Sequence, residues 1–299
     1  MKPLPSEIIE FQNRYREAHD ELIESIRDEK DKKKLLLIIA AILTPLWLYS
    51  NSWVNKYIPI GYKDGINSAY KTLKGVKSIP DDNLDIIMTQ TAEKLNEAST
   101  YMGTRVLDEF NQLLKVEDVK LAKKGLFLRG KITDKRGFPL NVDAYATMVV
   151  RTAQTVAHNY GVIQQITDAG QDLVKVSTHM TTCPICIVYE GRVYSISGND
   201  KRYPKLSEAF NSGYSTLHPN CRHFLLPYIR EFDKNADELQ EKSNLPFKIQ
   251  ENQKASVSAY EKDQARKVKL RVDIKAWDKS KVTDPNTPKT LSGFKKSRA

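Results

Sequence analysis

Residues 183–186 read Cys-Pro-Ile-Cys, and residues 218–223 read His-Pro-Asn-Cys-Arg-His. A Cys-x-x-Cys turn directs two sulfurs toward one point, and a His-x-x-Cys spacing adds an imidazole and a third sulfur. The two segments hold all three cysteines of the chain. Because zinc prefers four N or S ligands in a tetrahedron, we predict that these segments bind one ion and so join two distant parts of the chain. The predicted ligands are Cys183, Cys186, His218 and Cys221.

The fourth ligand has alternatives close by. His223 is the reserve, and we expect His179 to support the site from outside or to pack beside it. Four protein ligands leave no position for water, which predicts a structural zinc site and not a catalytic one. The competing interpretation is that these are ordinary reduced thiols and histidines, since a Cys-x-x-Cys pair alone also suits a redox motif.

Composition sets the broad class of the protein. The chain has 299 residues, 40% of them hydrophobic and 28% charged, which is typical of a globular protein. Three cysteines are too few and odd in number for a disulfide framework, so we expect a reducing compartment. The net charge is +10, and residues 251–299 hold 13 Lys or Arg against 6 Asp or Glu. A basic protein favours acidic partners such as nucleic acid or membrane headgroups.

Hydrophobic periodicity predicts an α+β protein with three regions. Residues 1–120 form a helical N-terminal region, with amphipathic helices over 6–30 and 84–113. Residues 121–232 form a small zinc-clipped α+β domain, and residues 233–299 form a basic helical and flexible tail. Within the middle region we predict the following elements: a β-hairpin that includes the apolar stretches 126–128 and 131–132 and the turn signal at 134–137, a helix capped by Asn141 that ends near Gly161, and strands at 173–176 and 193–196.

An apolar segment occupies residues 35–49 and follows three lysines at 32–34. It is shorter than the roughly 20 residues of a membrane-spanning helix, and Pro45 interrupts it. We therefore favour a buried or oligomer-contact helix over a membrane segment, although the basic flank and Trp47 keep the membrane alternative open. We expect a separate short helix over 66–73. The polar N-terminus is unlike a signal peptide.

Several stretches in fixed order carry a resemblance to a known family. They are Tyr-Ala-Thr-Met-Val-Val-Arg-Thr at 145–152, the stretch 170–179, the two metal segments, and Glu-Gly-Arg-Val-Tyr-Ser-Ile at 190–196, with a similar stretch upstream at 57–65. Together they resemble the minor capsid proteins of tailed bacteriophages, related to the head morphogenesis proteins typified by the Mu F protein. The family often has Cys at the position of His223, which leaves the fourth ligand open.

The resemblance implies a non-enzymatic component of the virion. We expect it inside the phage head after assembly in the host cytoplasm, with a role in head morphogenesis and in DNA packaging or ejection. The implied partners are the portal protein and the major capsid or scaffolding protein. The basic tail adds double-stranded DNA as a partner, since clustered cations neutralise phosphates without reading sequence.

Two other functions compete with this one. The first is a metal-dependent nuclease of the HNH kind that would use His218, Asn220 and His223, but a nuclease needs an open metal position. The second is a virion protein that is ejected and enters the host membrane through residues 35–49. The membrane role is compatible with the capsid role, since a capsid protein can be ejected.

Overall fold

The computed structural model describes residues 5–28, 31–113, 131–133, 139–180, 183–210, 217–218, 221–283 and 286–298. In that part of the chain the helices are α1 (Pro5–Asp28), α2 (Lys32–Leu73), α3 (Asp82–Leu113), α4 (Val142–Asp168), α5 (Leu206–Ala209), α6 (Ala236–Asn244), α7 (Glu251–Thr283) and α8 (Leu291–Lys296). The strands are β1 (Lys131–Thr133), β2 (Pro139–Asn141), β3 (Leu173–Val176), β4 (Val193–Ser195) and β5 (Leu225–Pro227). Helices predominate, which agrees with the α+β class.

Helices α1 to α4 pack around one apolar core. In α1 the side chains of Phe11, Tyr15 and Leu22 recur at steps of four and seven, and all three are fully buried. In α3, Leu95 and Met102 form the corresponding stripe. Both helices were predicted from this spacing. The side chains of Ile26, Phe110 and Leu113, which belong to the same predicted stripes, lie outside the described residues.

Helix α2 differs from the prediction, because it runs for 42 residues through both Pro45 and Pro59. The expected separate helix over 66–73 is therefore wrong, and those residues form the last turns of α2. An interior proline costs about 3 kcal/mol through a lost hydrogen bond and a steric clash. Burial of an apolar side chain contributes about 1.5–3 kcal/mol, and α2 buries many of them on both sides of Pro59. Packing thus outweighs the local penalty.

Helix α4 also runs further than predicted, to Asp168 and not to Gly161. Gly161 lies where α4 crosses α2, and a Cβ there would come within 2.1 Å of the Tyr62 carbonyl oxygen. Gly65 faces it on α2, where a Cβ would come within 2.0 Å of the His158 carbonyl oxygen. These glycines permit a close helix crossing, and Gly170, at φ +70°, follows the end of the helix.

The main sheet has three antiparallel strands in the order β4-β3-β5. Lys175 of β3 lies opposite both Val193 of β4 and Leu226 of β5. Strands β3 and β4 were predicted, the latter one residue longer than observed, whereas β5 was not. The inner face packs on α2 and α4 through a second apolar cluster that includes Ile166 and Val174. The sheet is thereby attached to the helical bundle.

The remaining elements lie outside the main sheet. Strand β1 covers the predicted apolar stretch at 131–132, but its antiparallel partner β2 was not predicted as a strand. The expected strand at 126–128 and the turn at 134–137 lie outside the described residues. Asn141 precedes α4 but makes no side-chain capping hydrogen bond. At the other end, Val257 of α7 packs against Ile187 and Val188. Helix α8 folds back on α7, where Lys295 pairs with Asp273, and the Trp277 Nε1 donates to the carbonyl of Pro288, just before α8. The three-region division of the chain stays a prediction.

Helix α2 contains a stretch long and apolar enough to cross a membrane. Only 22% of that stretch is buried within the protein. Length and composition alone do not establish a membrane span, since the core helix of a soluble protein can be equally long and apolar.

Candidate metal centre

Two turns carry the sulfur and imidazole groups to one side of the main sheet. The first follows β3, where the Cys183 carbonyl accepts from the Ile187 N–H at 3.0 Å and the Cys186 carbonyl accepts from the Tyr189 N–H at 2.9 Å. The second precedes β5, where the Cys221 N–H donates to the His218 carbonyl at 3.0 Å. Each turn keeps its two donor side chains on the same side of the backbone.

The predicted ligands fall into two overlapping sets that share Cys186. The donor atoms of Cys183, Cys186 and His218 lie within 4.8 Å of one another, and so do those of Cys186, Cys221 and His223. The Nε2 atom of His218 is 3.6 Å from the Cys183 Sγ and 2.8 Å from the Cys186 Sγ. The Sγ atoms of Cys186 and Cys221 are 3.7 Å apart. Cys186 and Cys221 are buried, whereas Cys183 and His218 are half-buried. Donor atoms separated by about 35 positions in the chain therefore converge on one small volume, and this cluster can hold a metal ion.

Three separations among these donors can be compared with a tetrahedral zinc site. Zn–S bonds of about 2.3 Å and Zn–N bonds of about 2.0 Å separate neighbouring donors by roughly 3.5–3.8 Å. The distances of 3.6 Å and 3.7 Å agree with that range, whereas the 2.8 Å contact between Cys186 and His218 would have to widen by about 0.7 Å. Three sulfurs and one imidazole match the ligand preference of zinc and not that of magnesium or calcium.

The two buried thiols share a hydrogen bond. This hydrogen bond lowers the pKa of Cys221 and raises the pKa of Cys186. His223 also interacts with Cys221 and further favours its thiolate form. A thiolate is the form of cysteine that binds metal, so the cluster already stabilises one ligand in its binding state.

His223 lies against the cluster but is held from its far side. Its Nδ1 is 3.5 Å from the Cys221 Sγ, and its Nε2 is 3.1 Å from the Glu190 Oε1. Burial lowers the pKa of His223, but the bonds to Cys221 and Glu190 outweigh it and leave the pKa raised. An imidazole between a sulfur and a carboxylate can orient that sulfur. His223 is also an alternative ligand, because its donor atom lies close to the sulfurs of Cys186 and Cys221.

Glu190 is the residue that the sequence did not indicate as part of the site. In the sequence it is the first residue of the family-like stretch 190–196, yet in the structure its carboxylate accepts from both the His223 ring and the His179 backbone N–H. Gly191 adopts φ +69°, the left-handed conformation that such a turn requires. No local signal marks Glu190, because its partners come from other segments of the chain.

His179 lies beyond His223. Its Nε2 is 2.8 Å from the Ser177 Oγ, and its ring meets that of His223 edge to face at 4.9 Å between centroids. Burial and the neighbouring His223 lower the pKa of His179. The His179 ring therefore packs against His223, which lies between it and the Cys221 sulfur.

The nuclease alternative finds little support in this geometry. His218 contacts two sulfurs, and His223 is engaged by Cys221 and Glu190. Asn220, the third residue of that alternative, lies outside the described residues.

Comparisons with known proteins bear on the whole of this region. A family model described as phage minor capsid protein 2 matches residues 84–284. The matched range includes α3, α4, the main sheet, the metal cluster and α7. The chain matches neither a curated protein nor a solved structure at a significant level.

Proposed function

The chain belongs to the phage minor capsid protein 2 family, and from this premise we propose that it is a structural protein of the phage head, stabilised by one zinc ion. The family match over residues 84–284 carries the proposal. The zinc would be bound by Cys183, Cys186, His218 and Cys221, with His223 outside the ligand set. We place the protein inside the head near the portal vertex, which it would reach during assembly in the host cytoplasm.

The surroundings of the cluster support a structural role for the ion. Both segments that supply ligands are connections with little regular structure, and each is anchored at one end by a strand of the same sheet. An ion between them would close the long loop from Cys186 to His218, which stabilises the fold by reducing the freedom of the unfolded chain. Zinc in a closed four-ligand site supplies no water for hydrolysis.

Metal analysis of the purified full chain tests the zinc site. We expect close to one zinc per chain, and Cys183→Ser and His218→Asn should each lose it. His223→Asn should keep the stoichiometry, because His223 is not a ligand in this assignment. His19→Asn, which changes a histidine on α1, is the matched control. Loss of zinc in His223→Asn with retention in His218→Asn would reverse the assignment, and absence of metal from every preparation would refute it.

The proposed position in the head has its own test. We expect the protein in heads that contain the portal protein, bound to it or to the major capsid or scaffolding protein. Heads assembled without the portal should contain little or none. The measurement is immunoblotting of both kinds of purified head, with the major capsid protein as loading control. Equal amounts in both would contradict the portal-proximal position, and absence from both would contradict the virion role.

Charge on α7 supports DNA as a further partner. Lys262 and Arg266 are exposed, and the sequence around them is basic. Neutralised phosphates release counterions, so binding to double-stranded DNA should weaken steeply with salt. Replacing both residues by Gln should reduce the slope of log K against log[salt] by roughly 2. A gel-shift titration of the full chain at several salt concentrations measures this, with Glu261→Gln as control. A slope unchanged by the double substitution would refute this use of α7.

Membrane contact is the second candidate function, and one observation favours it. Leu36, Leu37, Trp47 and Leu48 are exposed on α2. Three exposed lysines precede them at 32–34, as expected for a helix that meets anionic headgroups. Flotation of the full chain with phosphatidylserine-containing vesicles should then occur and should be lost in Leu37→Glu. Failure of the unchanged protein to float would remove this candidate.

A further inference from the structure

Residues 267–276 alternate strictly between polar and apolar side chains. The apolar positions are Val268, Leu270, Val272, Ile274 and Ala276, and the positions between them are Lys267, Lys269, Arg271, Asp273 and Lys275. A period of two over ten residues is the pattern of a half-buried β-strand, and valine and isoleucine favour that conformation. The structure nevertheless places the segment in the helix α7.

The helix leaves these apolar side chains without a common face. Successive helical positions differ by about 100°, so Val268 and Val272 lie on one side and Leu270 and Ile274 on nearly the opposite side. All four are exposed, by 37–59%. The residues toward the start of α7 behave differently, since Val257 is buried against the turn that follows Cys186. The exposed apolar group therefore lies beyond this contact, in the part of α7 where Asp273 pairs with Lys295 of α8 at 2.7 Å. A strand at this place requires that α8 move away from α7.

A strand would sort the same side chains into two faces. Ten residues in extended conformation span about 33 Å, with all five apolar side chains on one face and all five polar side chains on the other. Four of the five polar residues are cationic. The segment thus has one apolar face and one basic face as a strand, but has no defined face as a helix.

The helix is the expected form in the absence of a partner. A helix satisfies its own backbone hydrogen bonds, whereas a lone strand leaves its N–H and C=O groups to water. An open sheet edge supplies those missing bonds and covers the apolar face at the same time. Contact with such an edge would therefore favour the strand over the helix.

We propose that residues 267–276 convert from helix to β-strand during head assembly and add to the open edge of a sheet in another head protein. Charge complementarity defines that partner. The edge strand of the partner has an apolar face that continues the one formed by Val268 to Ala276. The opposite face of that strand is acidic and pairs with the cationic side chains of the segment. The inference rests on the proposed function in one respect, namely that the partner is a component of the phage head.

Four single substitutions distinguish a strand from a helix bound on one side. Val268→Gln, Leu270→Gln, Val272→Gln and Ile274→Gln each replace an exposed apolar side chain by a polar one that helices tolerate well and that adds no charge. In a strand all four side chains enter the same interface. In a helix bound on one side, only two of them do: either Val268 and Val272, or Leu270 and Ile274.

The measurement is the amount of each variant in purified heads, after complementation of a phage that lacks the gene. We expect each of the four to fall roughly tenfold or more, since each removes a buried apolar contact. Ala265→Gln, at an exposed position just before the segment, should be incorporated like the unchanged protein. Far-UV circular dichroism of the free variants should match that of the unchanged protein, because all of these positions are exposed in the helix.

Two results would overturn the inference. Normal incorporation of all four variants would show that the apolar positions meet no partner, and loss confined to one pair would show a helix docked on one side. Absence of the unchanged protein from heads would instead refute the proposed function, and with it this partner. The two failures are therefore distinguishable.

Discussion

At the residue scale, the cysteine and histidine cluster is held in place by side chains beyond the four predicted ligands. Cys221 is held between Cys186 and His223, and His223 is held in turn by Glu190. Glu190 also receives the backbone N–H of His179, so one carboxylate connects the segment after β3 with the segment before β5. A buried carboxylate in this position sets which ring nitrogen of His223 carries the proton.

Substitution of Glu190 tests this arrangement. In Glu190→Gln the chain should still bind one zinc, but its affinity should fall by about 10- to 100-fold, because His223 no longer orients Cys221. Competition with a chromophoric chelator measures the affinity. Glu208→Gln, which changes an exposed glutamate on α5, is the control. An affinity equal to that of the unchanged protein would show that Glu190 does not support the site.

His158 gives a residue-scale prediction about pH. Burial lowers its pKa from the ordinary value of 6.5 to about 4. Because the folded pKa lies below the unfolded one, the stability it contributes is full above about pH 6.5 and is lost as the pH falls toward 4. The shift corresponds to about 3 kcal/mol. Unfolding by urea between pH 4 and 7 measures this, and the dependence should be weaker in His158→Leu. Identical pH profiles in the two proteins would contradict it.

At the scale of elements, the crossing of α2 and α4 determines how the bundle meets the sheet. The glycines at 65 and 161 bring the two backbones together, and residues further along both helices then pack on the sheet. Asn159 strengthens the same junction, since its Oδ1 accepts the Leu225 N–H of β5 at 2.9 Å. The crossing thus fixes the position of β5, which leads out of the metal cluster.

A pair of glycine substitutions tests the crossing. Gly65→Ala places a methyl group against the backbone of His158, which cannot move without separating the helices, so we expect a loss of about 3 kcal/mol or more. Gly103→Ala meets only side-chain methyl groups of Leu43 and Ile39, at 2.9 and 3.2 Å. Those side chains can shift, and alanine favours a helix, so this control should change stability by less than about 1 kcal/mol. Urea unfolding compares them, and equal losses would refute the explanation.

At the scale of the whole molecule, the apolar interior has separate parts. The core of α1 to α4 contains no residue of the metal cluster, whereas the second apolar cluster joins the ends of α2 and α4 to the sheet. A metal ion in the cluster would therefore stabilise the sheet and its connections directly and the bundle only through the sheet.

Removal of metal should consequently unfold one part before the other. After treatment with a strong chelator, we expect most of the helical circular dichroism to remain while the amides of β3, β4 and β5 lose their protection from hydrogen exchange. Mass spectrometry of exchanged peptides measures both regions in one experiment, and readdition of zinc should restore the protection. Collapse of the whole helical signal together with metal loss would show that the bundle depends on the ion.

The sequence by itself determined those features whose signal lies within one segment. The periodic faces of α1 and α3 and the alternation of β3 and β4 needed no distant partner to be recognised. The same holds for the spacing within each Cys and His segment. The ordered stretches from 145 to 223 also indicated the family, which the match over residues 84–284 supports.

Only the tertiary structure decided the features in which a local preference competes with distant contacts. Pro45 and Pro59 predict breaks, but burial along α2 outweighs their cost. Gly161 predicts a helix end, yet it serves a close crossing with α2. Glu190 has no local signal, because its function depends on His179 and His223 being brought beside it. In each case the deciding free energy comes from residues far away in the chain, and sequence patterns within a window do not contain it.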